Sequence, residues 1–368
     1  MMNIHNKKRI LFLEDRQFYS TFVNLEQLSE TFTLSFDGGR FDDVNELKNF
    51  DLVIFSIYSS YKFNLLVIKL KNLGIPSLLM FDGVSEFSNF LNNKHLKSKS
   101  MINYHPIISD MALVVGHSAK QYFEVSNCLV GQYMPLHMSQ GDKRIDMCKD
   151  TRVMITTANT AYHTQREFNL LLSSLKEVIS FFESMQVEFF FRIFDKSLIE
   201  ELNIDQDRNC LSGSFQESLS NASHVVTTPS SISLTAMYHN RPVMHLIYRD
   251  FPSYFQSGWQ YISGVSDKTT FMSFIESDEH FMKFQFKEVS SNYDVDDVDI
   301  EIKNLLSKYK YSDSSRISEF ENNILYKMLD SRYNINFEYA IRKVYWKLKG
   351  TKLNKIVRNL RNKIVNRD

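Results

Sequence analysis

A run of small hydroxyl residues, Thr227-Thr228-Pro229-Ser230-Ser231-Ile232-Ser233, follows the apolar stretch Val225-Val226 and precedes helical spacing from Ser233 to His239. Such a turn at the end of a buried strand aims free backbone N–H groups at one point and adds the positive end of a helix dipole. Hydroxyls supply further donors, and the set binds phosphate. Thr228, Ser230, Ser231 and Ser233 are therefore candidate phosphate ligands, although serine and threonine are also ordinary N-caps. A carboxylate occupies a comparable place in the first half, where Phe81-Asp82-Gly83 ends the apolar run Leu78-Leu79-Met80. Asp82 can take a proton from a hydroxyl there, or simply begin a turn, with a flexible glycine behind it. Two further strand ends carry polar groups. Asn159, Thr160 and His163 follow the apolar run that starts at Arg152, and Arg192 lies near the end of Val187–Ile193. The planar guanidinium of Arg192 suits paired contacts with an anion, or with nearby Asp195. The other histidines, including His117, His137, His224 and His245, read as structural.

These groups need strands that end on one side of a sheet. Ile10–Leu13, Phe32–Phe36, Asp51–Ser56, Ile75–Phe81, Ala112–Gly116 and Cys128–Gly131 are short apolar runs separated by helical spacing, such as Phe18 to Leu28 and Phe63 to Leu70, the latter stopped by Gly74. Runs buried on both faces and alternating with helices predict a parallel sheet. Met138 to Asp150 is polar and reads as a linker. A second series follows, with strands at Arg152–Thr156, Val187–Ile193, weakly Cys210–Ser212, His224–Thr227 and Val243–Ile247, and a long helix from Glu167 to Met185. Asn240 suits a left-handed helix end, with Pro242 just beyond it. The expected class is α/β, with two Rossmann-like domains. The divisions are 1–137, 151–265, an irregular or helical region 266–340 completing the fold, and a tail 341–368.

The order strand, serine turn, helix, Asn240-Arg241-Pro242-Val243, strand resembles the donor-binding domain of GT-B glycosyltransferases, in which a serine-rich turn and a Lys/Arg-Pro pair recur near the nucleotide-sugar phosphates. The resemblance covers roughly residues 8 to 265, and sugar-nucleotide 2-epimerases share its motifs. It implies two domains facing a central cleft, with the serine turn on the leaving phosphate and Asp82 deprotonating the acceptor. Asp82-Gly83 and Ser230-Ser231 are also similar to the Asp-Gly and serine pairs of bacterial sialyltransferases and polysialyltransferases. The acidic residue before the aspartate is replaced by Phe81, and His105-Pro106 lies in the first half rather than the second. The implied activity is sugar transfer from a nucleotide-sugar donor to a capsule or lipopolysaccharide-type glycan, or to its lipid-linked precursor. It is expected to be inverting and metal-independent. A sugar-nucleotide epimerase and a non-catalytic assembly protein that kept the fold are the alternatives.

Bulk properties agree with a folded enzyme. The 368 residues are 43% hydrophobic and 14% aromatic, too apolar for disorder and long enough for two cores. Three scattered cysteines predict neither a disulfide framework nor a zinc site, and no cofactor is expected besides the donor. The acidic stretch Asp294, Asp296, Asp297, Asp299 and Glu301 lacks calcium-loop spacing and reads as a solvated face. Zero formal charge hides an asymmetry, because ten Lys or Arg residues fall between Arg342 and Arg367. Leu353, Ile356, Val357, Leu360 and Ile364 recur there at helical spacing, so the tail is expected to be a basic amphipathic helix. Its expected partner is an anionic membrane surface, giving a cytoplasmic protein attached peripherally to the inner face, with no nucleic acid.

Overall fold

A computed structural model describes residues 7–40, 44–97, 102–126, 128–139, 144–249 and 257–310. Among these described residues there are two sheets, and every strand pairing in both is parallel. The first contains β1 (Arg9–Phe12), β2 (Thr33–Ser35), β3 (Leu52–Phe55), β4 (Ser77–Met80), β5 (Met111–Val115) and β6 (Leu129–Tyr133), in the order β2-β1-β3-β4-β5-β6. The second contains β7 (Arg152–Thr156), β8 (Glu188–Arg192), β9 (His224–Thr227), β10 (Val243–Leu246) and β11 (Trp259–Tyr261), in the order β11-β10-β9-β7-β8. Strands β3, β4, β5, β9 and β10 are buried along their whole length. Helices cover both faces of such sheets, which is why the sequence runs are continuously apolar rather than alternating.

Local signals explain the helix ends. The helix Gln165–Ser184 starts at Thr164, whose side chain accepts from the Glu167 amide at 3.2 Å, and it buries Phe168, Leu171, Leu175, Val178 and Phe182 on one stripe. Each such side chain contributes about 1.5–3 kcal/mol by leaving water. The helix Tyr61–Asn72 ends just before Gly74, and Ser231–Tyr238 just before Asn240, both with positive φ as the sequence suggested.

Three expectations change. The segment Phe18 to Leu28 is not one helix; Asp15 and Asn24 cap two short ones, Arg16–Tyr19 and Leu25–Thr31. Cys210–Ser212 is no strand, its neighbour Asn209 making only an isolated bridge to Phe191. Within the region expected to be irregular or helical, the described residues after Asp267 form the helices Lys268–Ile275, Glu279–Tyr293 and Val298–Lys308. The last of these returns to the first domain, where Asp297 accepts from Gln27 at 2.8 Å and Asp299 from Thr31 at 2.9 Å. Of the acids read as a solvated face, Asp297 and Asp299 therefore dock a helix, while Asp294 and Asp296 are exposed as expected. The predicted tail 341–368 lies outside the described residues, and among those described no helix is long and apolar enough to cross a membrane.

The linker holds the halves together through buried Arg241, whose guanidinium donates to the carbonyls of Ile145, Asp146, His239, Leu219 and Ala222. Arg241 precedes β10 and so stands at the amino edge of the second sheet. Its arginine-proline pair serves the linker, at the opposite edge from the serine turn.

Candidate functional site

Strand order reverses in the second sheet between β7 and β9, and the loops leaving a parallel sheet at such a point diverge to open a crevice. The serine turn follows β9 and the loop 157–163 follows β7, so both border that crevice. Thr228 Oγ1 accepts from the Ala158 amide at 2.8 Å and ties the two loops together. Ser233, fully buried, accepts from the Ser230 amide at 3.1 Å and donates back to the Ser230 carbonyl. Thr228 and Ser233 thus build the turn. Ser230 is different: it is 6% exposed at the head of the helix Ser231–Tyr238, and although its side chain faces the Ser233 amide in a capping-box arrangement, its Oγ makes no hydrogen bond of full geometry among the described residues. Ser231 is half-buried in the first helical turn.

Of the other predicted residues, Asn159 and Thr160 are exposed in the loop after β7, and His163 is half-buried with its amide donating to Glu167 at 2.7 Å. Arg192 turns away from this group. Its guanidinium donates to the carbonyls of Cys210 (2.8 Å), Ser212 (3.2 Å) and Gly213 (2.9 Å) and to Ser218 Oγ (3.0 Å). β8 is an edge strand, so the chain returning beside it captures the arginine; Asp195 instead caps the helix Lys196–Glu201.

Asp82 lies just past β4, at the carboxyl edge of the first sheet, and is exposed. The opposed edges meet: Glu86, four residues further on, pairs with Arg249 beyond β10, and Ser88 donates to Glu167 beyond β7. Asp82 and the serine turn therefore belong to the same interdomain side. Tyr133 donates to the Phe81 carbonyl, and Phe81 stacks on Tyr104 at 4.0 Å, which fixes the backbone leading into Asp82. Surrounding protein raises the Asp82 carboxyl above its ordinary value, against the lowering from its own amide and from His137. Water reaches the carboxylate and limits that effect.

His137, read from the sequence as a structural histidine, lies close to Asp82. The chain after β6 doubles back across the sheet edge, the Leu136 amide reaching the Phe22 carbonyl at 2.8 Å, and its helix Leu136–Ser139 packs on Ser231–Tyr238 of the second domain. This brings His137 into electrostatic contact with Asp82. Burial lowers its pKa, while a backbone contact at Thr21 and the Asp82 charge oppose that shift. Nothing in the local string Met134-Pro135-Leu136-His137 signals the pairing, which depends on the chain reversal.

Two motif residues fall elsewhere. His105 has both ring nitrogens engaged, Nδ1 with the Asn103 carbonyl at 2.7 Å and Nε2 with Tyr122 Oη at 3.0 Å, and its place in the first domain leaves it a structural part of an aromatic cluster. Gly83 has ordinary φ, and a Cβ built there meets nothing within 4 Å, so the protein itself does not require glycine beside Asp82.

Two parallel Rossmann-like sheets with their carboxyl edges opposed define the GT-B architecture. No family model matches the chain, and no curated protein matches its sequence. Among solved structures it is similar to S. aureus MnaA with UDP, at a TM-score of 0.51 and 11% identity, covering 83% of this chain and 99% of that one. It is also similar to UDP-N-acetylglucosamine 2-epimerase from Rickettsia bellii (TM-score 0.49, 11% identity, 83% and 97% covered). The spinosyn forosaminyltransferase SpnP is another neighbour (TM-score 0.46, 10% identity, 82% and 100% covered). At 11% identity the likeness to MnaA shows the fold alone.

Proposed function

We propose that this chain is a nucleotide-sugar-utilising enzyme and, within that class, a glycosyltransferase acting on a bacterial-type surface glycan or its lipid-linked precursor. The observation that carries the proposal is the buried Ser230 hydroxyl, without a hydrogen bond of full geometry among the described residues, at a helix N-terminus beside the switch-point crevice. A buried hydroxyl left unpaired costs about 1–3 kcal/mol, a cost that a ligand phosphate accepting from it would remove. In the reaction, the acceptor hydroxyl attacks the anomeric carbon and its proton passes to Asp82. The bond from that carbon to the donor phosphate breaks, and the electron pair leaves on phosphate oxygen. Helix N–H groups and Ser230 receive the developing charge, an arrangement that inverts the anomeric centre and needs no metal step. Asn159, Thr160 and His163 border the donor, and Ser231 adds a second hydroxyl. Arg192, Thr228 and Ser233 support the walls.

A sugar-nucleotide epimerase is the second reading. It is favoured by His137 standing in electrostatic contact with Asp82, because removing and returning a proton calls for two titrating groups. Thermal shift against UDP, GDP, CDP and CMP tests the class, since a nucleotide at 100 times its Kd stabilises the folded chain by about 2.7 kcal/mol. Product analysis with donor alone separates the two: an epimer formed without acceptor supports the second reading, and a product that requires an acceptor supports transfer. No shift with any nucleotide and no turnover would leave the non-catalytic assembly protein.

A further inference from the structure

Around the mouth of the cleft, three loops converge on one buried cation. Arg249, just beyond β10, is 3% exposed at its side chain and lies 2.9 Å from Glu86 and 3.6 Å from Glu167. Its Nη2 also donates to the Thr160 carbonyl at 3.2 Å. Glu86 belongs to the first domain, at the N-cap position of the helix Phe87–Asn92 and in the loop that carries Asp82. Glu167 and Thr160 belong to the second domain, on the segment after β7. Ser88 adds a direct link across the domains by donating to Glu167. Burial opposes the charge on Glu167, yet the Ser88 hydroxyl, the His163 amide and Arg249 together lower its carboxyl.

We propose that Arg249 is a positioning residue, a latch that holds the Asp82 loop of the first domain against the loop 157–163 of the second. Arginine suits the task because its fork reaches two carboxylates and a carbonyl at once. None of the four groups lies on a sheet: Arg249 and Thr160 are in loops beyond strands, Glu86 is a helix N-cap, and Glu167 is in the first turn of Gln165–Ser184, so parting them leaves both sheets in place. Closure of two domains about such contacts is a common way of admitting and enclosing a substrate. The purpose of the latch rests on the function proposed above, but its existence does not, and nucleotide-free protein reveals it.

Hydrogen exchange of the full chain, followed by mass spectrometry on peptides covering 83–92 and 157–168, tests it. Arg249→Met should speed exchange in both segments by about tenfold or more, while β9 and β10 exchange as in the unaltered protein. Arg249→Lys should recover part of the protection. Glu86→Gln keeps the Arg249–Glu167 pair and should speed exchange at 83–92 alone; it decides the matter if Arg249→Met fails to fold. Wild-type exchange at 83–92 in the variants that fold, or an equal rise across all strands, would overturn the latch. A protein that shows the latch but binds no nucleotide would sink the proposed function and leave this inference standing.

Discussion

At the residue scale, the same chemistry that marks a site also builds walls. Thr228 and Ser233 hold the turn, whereas the buried Ser230 hydroxyl makes no hydrogen bond of full geometry among the described residues. Ser230→Ala should therefore leave Tm unchanged or slightly raised in nucleotide-free protein, since it removes an unsatisfied group; a fall of several degrees in a melting scan would mean that the hydroxyl has a structural partner. Asp82→Asn should lower kcat roughly 10²–10⁴-fold with little change in donor binding, as removal of a general base does. Because its surroundings raise the Asp82 pKa, kcat/KM should fall on the acid side at a higher pH than for a free aspartate. Ser230 and Asp82 were legible because each follows an apolar run that must be a buried strand, and a strand end is a position the sequence reveals. That Arg192 is occupied, or that His137 meets Asp82, depends on which segment returns alongside, and no local string records that.

At the scale of elements, the central strands announce themselves and the peripheral pieces do not. β3, β4, β5, β9 and β10 are continuous apolar runs, while β11 and the three helices after Asp267 are held by partners far away in sequence, such as Gln27 and Thr31 for the last helix. β9 and β10 also carry a liability. Burial lowers His224 to about 4 and His245 to about 3. The unfolded chain takes up these protons near pH 6.5 and the folded chain does not, so stability is full above that pH and falls as the pH drops toward 4. The loss is about 2 kcal/mol per histidine by pH 5. Urea midpoints at pH 7 and pH 5 should show this fall, and His245→Leu should remove about half of it. An equal drop in the variant would place the acid sensitivity elsewhere. At the linker, Arg241→Met strips five carbonyls of their donor and should cost about 3 kcal/mol by denaturant titration.

At the scale of the whole molecule, two sheets built by the same local rules face each other across their carboxyl edges, and the Glu86–Arg249–Glu167 contacts fix that arrangement. Two successive α/β series in the sequence foretold the pair of domains. Their mutual placement comes from the linker, which its polar composition marks, and from the returning helix Val298–Lys308 and the latch, which have no sequence signature. In the function proposed above, the serine turn holds the phosphate of a nucleotide sugar. Calorimetric titration of wild type and Ser230→Ala with UDP, or with whichever of GDP, CDP and CMP stabilises the protein most, tests it directly. Loss of one hydrogen bond to a charged group predicts about tenfold weaker binding to a variant that remains folded. Equal affinity in both proteins would show that Ser230 holds no phosphate, as would failure of the wild type to bind any of the four.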